Sequence, residues 1–135
     1  MTRSEYVKSY TDFIRCVMRL GEKARREGLL ALEDETEDLD DESFKDALRM
    51  VVDGIASETI NEIYSNLISF EKDEYTRQLK TVQKRAALGI QSGENPRILY
   101  LVLKSYANLT PDENSEIERL LLSDDSDDLD LGDEE

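Results

Sequence analysis

Carboxylates are the side chains of this chain that are most able to do chemistry. The sequence holds 32 aspartates and glutamates, one cysteine and no histidine. The lack of histidine removes the commonest general base and the usual zinc and di-iron ligand sets. Cys16 has no histidine to activate its thiol, and the sequence has no glycine-rich loop for phosphates. We therefore predict no catalytic residue, no cofactor and no metal site, and a protein that is not an enzyme.

The acidic residues are concentrated in two runs. Eight of the ten residues 33–42 are acidic, and residues 123–135 hold eight acids and no base. Within the second run, Leu129 and Leu131 fall at the third and fifth positions of an EF-hand-like loop, where calcium ligands are required, so that motif fails. The run has too little apolar surface to offset the entropy of ordering it, which predicts a disordered acidic tail.

Charge and hydropathy restrict the class of partner. Only 17 lysines and arginines balance the acids, and the net charge of -15 argues against nucleic acid or an anionic membrane as a partner. The N-terminal residues lack the apolar core of a signal peptide, and no apolar stretch approaches the ~18 residues of a membrane span. We expect a cytoplasmic protein. Cys16 cannot form an intramolecular disulfide, and its apolar neighbours are typical of a core position.

Apolar residues at helical spacing predict an all-α fold, with one compact domain over residues 1–122 before the tail. The first helix covers about residues 4–26 and ends at Gly28, which the short apolar segment Leu29 to Leu32 follows. The second helix covers about residues 42–52 and ends at Gly54.

Two later helices begin at recognisable caps. Asn95 followed by Pro96 places a capping side chain before a proline at the first helical position. Thr110 with Glu113 three residues later forms a capping box for the last helix. Gly93 is expected to end the helix that precedes Asn95.

The longest apolar pattern covers about residues 57–91, without proline and without glycine before Gly89. It is either one helix or two helices that turn near residues 71–74, and the lack of turn residues favours one long central helix. The helix after Pro96 is the most apolar segment, so we expect it to lie centrally. A straight central helix would carry that segment away from the N-terminal helices, which would favour a homodimer that exchanges it.

Two segments carry a more specific signal. Residues 23–33 read KARREGLLALE, and residues 88–97 read LGIQSGENPR. The first resembles a segment in the cytoplasmic loop of the MotA family of flagellar motor stator subunits. The second resembles the stretch that follows the fourth membrane helix of that family. Both occur in the family's order, and the resemblance covers about residues 5–110.

The resemblance implies the cytoplasmic portions of a stator subunit, joined near residues 70–76, without any of the family's four membrane helices. Ion conduction is therefore not implied. The resemblance implies a role in motility, by contact with the rotor switch protein FliG or with stator subunits. It places this contact at the motor, on the inner face of the membrane. The family's partner-binding charges fall on Arg25 and Glu33, beside Arg26. The glycines Gly28, Gly54 and Gly93 are expected to be structural, as are Asn95 and Pro96.

Other interpretations remain open from the sequence. Arg25 and Arg26 could instead complement the end of a helix and pair with the nearby acidic run. The chain could also be a structural, self-assembling helical protein, or an engineered stator chain from which the membrane helices were removed.

Overall fold

The computed structural model describes residues 1–124, with side chains as far as Leu121. This part of the chain contains no strand, which confirms the all-α prediction. Its helices are α1 (Arg3–Glu27), α2 (Glu33–Thr36), α3 (Glu42–Val52), α4 (Ser57–Phe70), α5 (Glu74–Ser92), α6 (Pro96–Ser105) and α7 (Pro111–Asp124), with a 3₁₀ turn at Leu29–Leu32 between α1 and α2. Most of the acidic tail predicted for residues 123–135 lies outside the described residues.

The helix ends follow local capping chemistry. The Asp41 carboxylate accepts from the backbone N–H of Phe44 at the start of α3, at 3.0 Å. The Asn95 side chain caps α6. Thr110 and Glu113 make both hydrogen bonds of a capping box, at 3.1 and 3.0 Å. These groups satisfy backbone donors that the first turn of a helix leaves without partners.

Glycines follow three of the helices. Gly28, Gly54 and Gly93 have φ values of 94°, 78° and 75°. Gly93 is in the left-handed region and closes α5, with its N–H directed at the carbonyls of Gly89 and Ile90. A residue with a Cβ would be strained in this conformation.

The prediction of one continuous helix over residues 57–91 is wrong. The chain reverses at residues 71–73, where Glu71 and Asp73 have extended ψ values of 128° and 126°. The Asp73 carboxylate accepts from the N–H and the hydroxyl of Thr76, both at 2.8 Å, and so caps α5. Aspartate is among the strongest N-cap residues, and this outweighs the helix tolerance of its charged neighbours.

The reversal makes α4 and α5 an antiparallel hairpin. Earlier positions of α4 and the loop before it meet later positions of α5: the Tyr64 hydroxyl donates to Gln83, and Gln91 donates to the carbonyl oxygen of Ile55. Because the chain turns back, α6 packs against α1 of the same chain. The exchanged dimer rested on a straight helix, so its structural premise is gone.

α6 runs antiparallel to α1. Pro96 at the start of α6 lies beside Gly21 near the end of α1. At the other end, the Tyr10 hydroxyl donates to the carbonyl oxygen of Leu103. Burial raises the pKa of Tyr10, so this hydroxyl keeps its proton.

α7 lies along α1 in the parallel direction. Arg3 near the start of α1 pairs with Glu113 near the start of α7, with Nη2 and Oε1 2.6 Å apart. Arg15 and Leu120, further along the two helices, line the same cleft of about 940 Å³. α7 is therefore antiparallel to α6, which agrees with the 2.9 Å pair between Lys104 and Glu118.

One core joins the six longer helices, and α5 contacts four of them, α1, α3, α4 and α6. The expectation that the helix after Pro96 is fully central is only half right. Leu99 and Leu103 of α6 are buried, but Ile98 and Leu101 are 55% and 57% exposed. The helix is apolar around most of its circumference, and α1 and α5 cover only one side of it.

A buried polar cluster connects α3, α4 and α5. Gln83 is 5% exposed, and its Oε1 accepts from the Tyr64 hydroxyl at 3.1 Å and from Ser43 at 3.2 Å. Its Nε2 donates to Asp41 Oδ2 at 3.0 Å. Although burial opposes it, hydrogen bonding from Phe44, Ser43 and Gln83 holds the pKa of Asp41 below its usual value. One amide of α5 therefore satisfies three side chains, two at the start of α3 and one on α4.

Replacing Gln83 by alanine should lower the free energy of unfolding by about 2–3 kcal/mol, because the Tyr64 hydroxyl would be buried without its partner. Urea denaturation measures the difference. Lys84→Ala, the next position on α5, is the matched control and should change stability by no more than about 0.5 kcal/mol. Equal urea midpoints for the two variants would contradict this role of the cluster.

α5 and α6 approach each other closely at Gly89. A Cβ at Gly89 would lie 2.7 Å from Cδ1 of the buried Leu99 and 2.9 Å from Oε1 of Glu94. A Cβ at Gly21, by contrast, would lie at an ordinary 3.8 Å from Cγ of Pro96.

Two Gly→Ala substitutions should therefore have opposite effects. Gly89→Ala should destabilise the protein by about 1–3 kcal/mol, because overpacking pushes α6 off α5. Gly21→Ala should stabilise it by up to about 1 kcal/mol through helix propensity. Thermal denaturation of both variants is the measurement. A higher Tm for Gly89→Ala than for the parent would contradict this expectation, because it would show that α6 can move away from α5 without loss of stability.

Candidate partner-binding site

The end of α1 is shaped by Gly28. Its φ of 94° and ψ of 161° end the helix, and its N–H donates to the carbonyl of Ala24 at 2.8 Å. The 3₁₀ turn that follows begins with the N–H of Ala31 donating to the carbonyl of Gly28 at 3.2 Å. Leu32 at the end of this turn is fully buried, so the chain is pulled back against the core directly after the helix.

Two interactions fix the start of the acidic run. Thr36 is 3% exposed and its hydroxyl donates to the carbonyl oxygen of Glu33 at 2.8 Å. Glu35 accepts from Arg19 Nη1 at 2.9 Å and from Lys23 Nζ at 2.8 Å. The hydrogen bond from Lys23, aided by the one from Arg19, holds the pKa of the Glu35 carboxyl below its usual value. The same bond between Lys23 and Glu35 raises the pKa of Lys23. α2 is thus clamped to the side of α1.

The predicted binding residues Arg25, Arg26 and Glu33 are all exposed. Arg26 lies 3.7 Å from Glu22 within α1. Across residues 1–121, neither the Arg25 guanidinium nor the Glu33 carboxylate has a hydrogen bond or an ion pair. The acidic run therefore forms its ion pairs with bases other than Arg25 and Arg26.

An apolar side chain lies between these charges in the sequence. Leu30 is 72% exposed, whereas its neighbour in the 3₁₀ turn, Leu32, is fully buried. Leu30 was not among the binding residues predicted from the sequence. The pattern Leu-Leu-Ala-Leu of residues 29–32 indicates an exposed leucine, because a single turn cannot bury all of its apolar residues.

The structure does not bring Arg25 and Glu33 together as a pair. Lys23 faces α2, and Arg25, two residues later, lies about 200° further round the helix. Gly21, one turn before Arg25, lies beside Pro96 of α6. Arg25 is therefore on the α6 side of α1, while Glu33 begins the segment on the other side. A partner that touches both must cover the end of α1.

The thiol of Cys16 lies in another cleft of the described structure. A cleft of about 500 Å³ between α1, α3 and α5 is lined by Cys16 together with Phe13 and Leu79. Burial raises the pKa of the Cys16 thiol, which keeps it protonated and weakly nucleophilic. Among the described residues, no three metal-binding side chains form a group. None of the helices up to Asp124 has both the length and the apolar character that crossing a membrane requires.

Known proteins with similar sequences share one name. No family model matches the chain. Motility protein A of Treponema phagedenis is 39% identical over 77 residues, which are 57% of this chain and 30% of that protein. The Borreliella burgdorferi protein of the same name is 47% identical over 58 residues, 43% of this chain and 22% of that protein. The Bacillus subtilis one is 41% identical over 70 residues, 52% of this chain and 23% of that protein.

These matches cover 22–30% of the length of the three relatives. They agree in name across three genera, and they agree with the family that the two motifs resemble. The chain is therefore related in sequence to Motility protein A over about half of its own length, which confirms the resemblance to the MotA family.

Proposed function

We propose that this chain is a flagellar-motor-associated protein that acts by contact with another protein through the end of α1. The partner is the rotor switch protein FliG or a stator subunit, at the motor on the inner face of the membrane. The observation that carries the proposal is the pair of exposed charges at Arg25 and Glu33, which have no partner within residues 1–121 and lie in the segment that resembles the MotA family.

The physical character of this surface suits a weak and rapidly exchanging contact. An exposed positive charge and an exposed negative charge on opposite sides of the end of α1 attract a complementary partner and set its orientation. Within residues 1–121, neither charge has to break an ion pair before it binds. Leu30, exposed between them in the sequence, supplies apolar area that the partner can remove from water.

A second candidate is a self-assembling structural protein. The observation that favours it is an apolar stripe on α4 formed by Ile63, Leu67 and Phe70, which are 40%, 41% and 81% exposed. Their spacing of four and three residues places them on one side of the helix. In this alternative, copies of the chain associate through α4, and the end of α1 has no role.

Charge reversal at the two motif positions tests the first proposal. The double variant Arg25→Glu, Glu33→Lys should bind FliG or a solubilised stator complex about tenfold more weakly, a loss of about 1.4 kcal/mol. Binding of the parent chain should weaken as salt is added, because exposed charges are screened over ~10 Å at 0.1 M. Titration calorimetry at low salt measures the affinity.

The matched control is Lys72→Glu, Glu62→Lys. It makes the same change of charge at exposed positions of α4 and the turn after it. Circular dichroism should show unchanged helicity for both variants. Equal affinity of the motif variant and the control would refute the assignment. Mass by light scattering that rises with concentration and falls on Leu67→Glu would favour self-assembly instead.

A further inference from the structure

The outward face of α6 is apolar and basic and has no cover among the described residues. Ile98 and Leu101 are 55% and 57% exposed and lie one turn apart. Beside them, the Arg97 guanidinium is exposed and makes no hydrogen bond or ion pair within residues 1–121. These residues line a hollow of about 310 Å³ together with Asn95 and Tyr100. Exposed apolar residues grouped in this way mark a binding surface more often than scattered ones do.

The direction of α7 leads the chain to this face. α7 starts beside Arg3 and runs parallel to α1, with Leu120 level with Arg15. α6 runs the other way, with its start beside Gly21. The end of α7 and the start of α6 therefore lie at the same end of the molecule. From the 2.9 Å pair of Lys104 with Glu118, six further residues of α7 reach Asp124, and six residues back along α6 reach Ile98.

The sequence that follows Asp124 is complementary to the face. Residues 125–131 read DSDDLDL, with two leucines two positions apart among four aspartates. In an extended segment such leucines project from one side about 7 Å apart, close to the spacing of side chains one helical turn apart. Five residues of chain span at most ~17 Å, enough for Leu129 to reach the face from the end of α7. The aspartates have the charge opposite to that of Arg97.

We propose that residues 127–131 of this chain bind to the outward face of α6. Leu129 and Leu131 cover Ile98 and Leu101, and an aspartate beside them pairs with Arg97. The acidic tail then carries its own binding segment, and a partner that uses the α6 face must first displace it. This proposal is independent of the contact proposed for the end of α1, because it needs no second protein.

Methyl NMR of the full chain tests this contact. Leu129→Ser, Leu131→Ser should shift the methyl resonances of Ile98 and Leu101 and leave those of the buried Leu103 and Val82 unchanged. The matched control, Asp133→Asn, Glu134→Gln, alters tail charge without touching the leucines and should leave Ile98 and Leu101 near their parent positions. A nitroxide at Gly132→Cys in a Cys16→Ser background should reduce the intensity of the Ile98 and Leu101 methyl signals and spare that of Ile60.

Three results would overturn the proposal. The first is no shift of Ile98 and Leu101 in the double leucine variant. The second is a nitroxide effect no larger at these methyls than at Ile60. The third is a set of Ile98 and Leu101 shifts that change on dilution while light scattering reports a dimer, because the occupant is then a second copy of the chain.

Discussion

The burial of α5 by four other helices is the constraint on which this fold depends. α5 offers small side chains to its neighbours, with Ala86, Ala87 and Gly89 all buried. Helices can therefore approach it closely on several sides at once. This arrangement requires α4 to lie beside α5, so the chain must reverse between them. The cap at Asp73 stabilises the reversal itself, and the buried amide of Gln83 holds α5 against α4 further along the hairpin.

The same constraint determines what α1 can display. α5 and α6 hold the inner side of α1, and α2 is clamped to one flank through Glu35. The acidic run is therefore not uniform in its role. Glu35 and Asp41 are engaged in internal contacts, one with α1 and the other with α3 and Gln83. Glu33, in the same run, is left exposed and unpartnered in the described structure, and this difference between neighbours separates structural acids from candidate binding acids.

Local chemistry made much of the fold predictable, and tertiary packing accounts for what was missed. The caps at Asn95 and Thr110 depend on hydrogen bonds within a few residues, so sequence alone locates them. The reversal at residues 71–73 was missed because the N-cap of Asp73 with Thr76 was not recognised in the sequence, and because no local pattern records the packing of α4 across α5. At the candidate site, motif resemblance identified the charges. Their lack of partners within residues 1–121, their positions on opposite sides of α1 and the exposure of Leu30 follow only from the three-dimensional arrangement.

The hairpin also explains how two motifs far apart in the sequence can form one unit. The segment 23–33 begins two residues after Gly21, and Pro96 of the segment 88–97 lies against Gly21. The end of α4 lies beside the start of α5, and only residues 71–73 join the two helices. In the family that the motifs resemble, membrane helices separate the two segments. Because the helices on either side of residues 71–73 are held together by their own packing, the contact of Pro96 with Gly21 does not depend on what joins α4 to α5. A short turn is sufficient to close the unit.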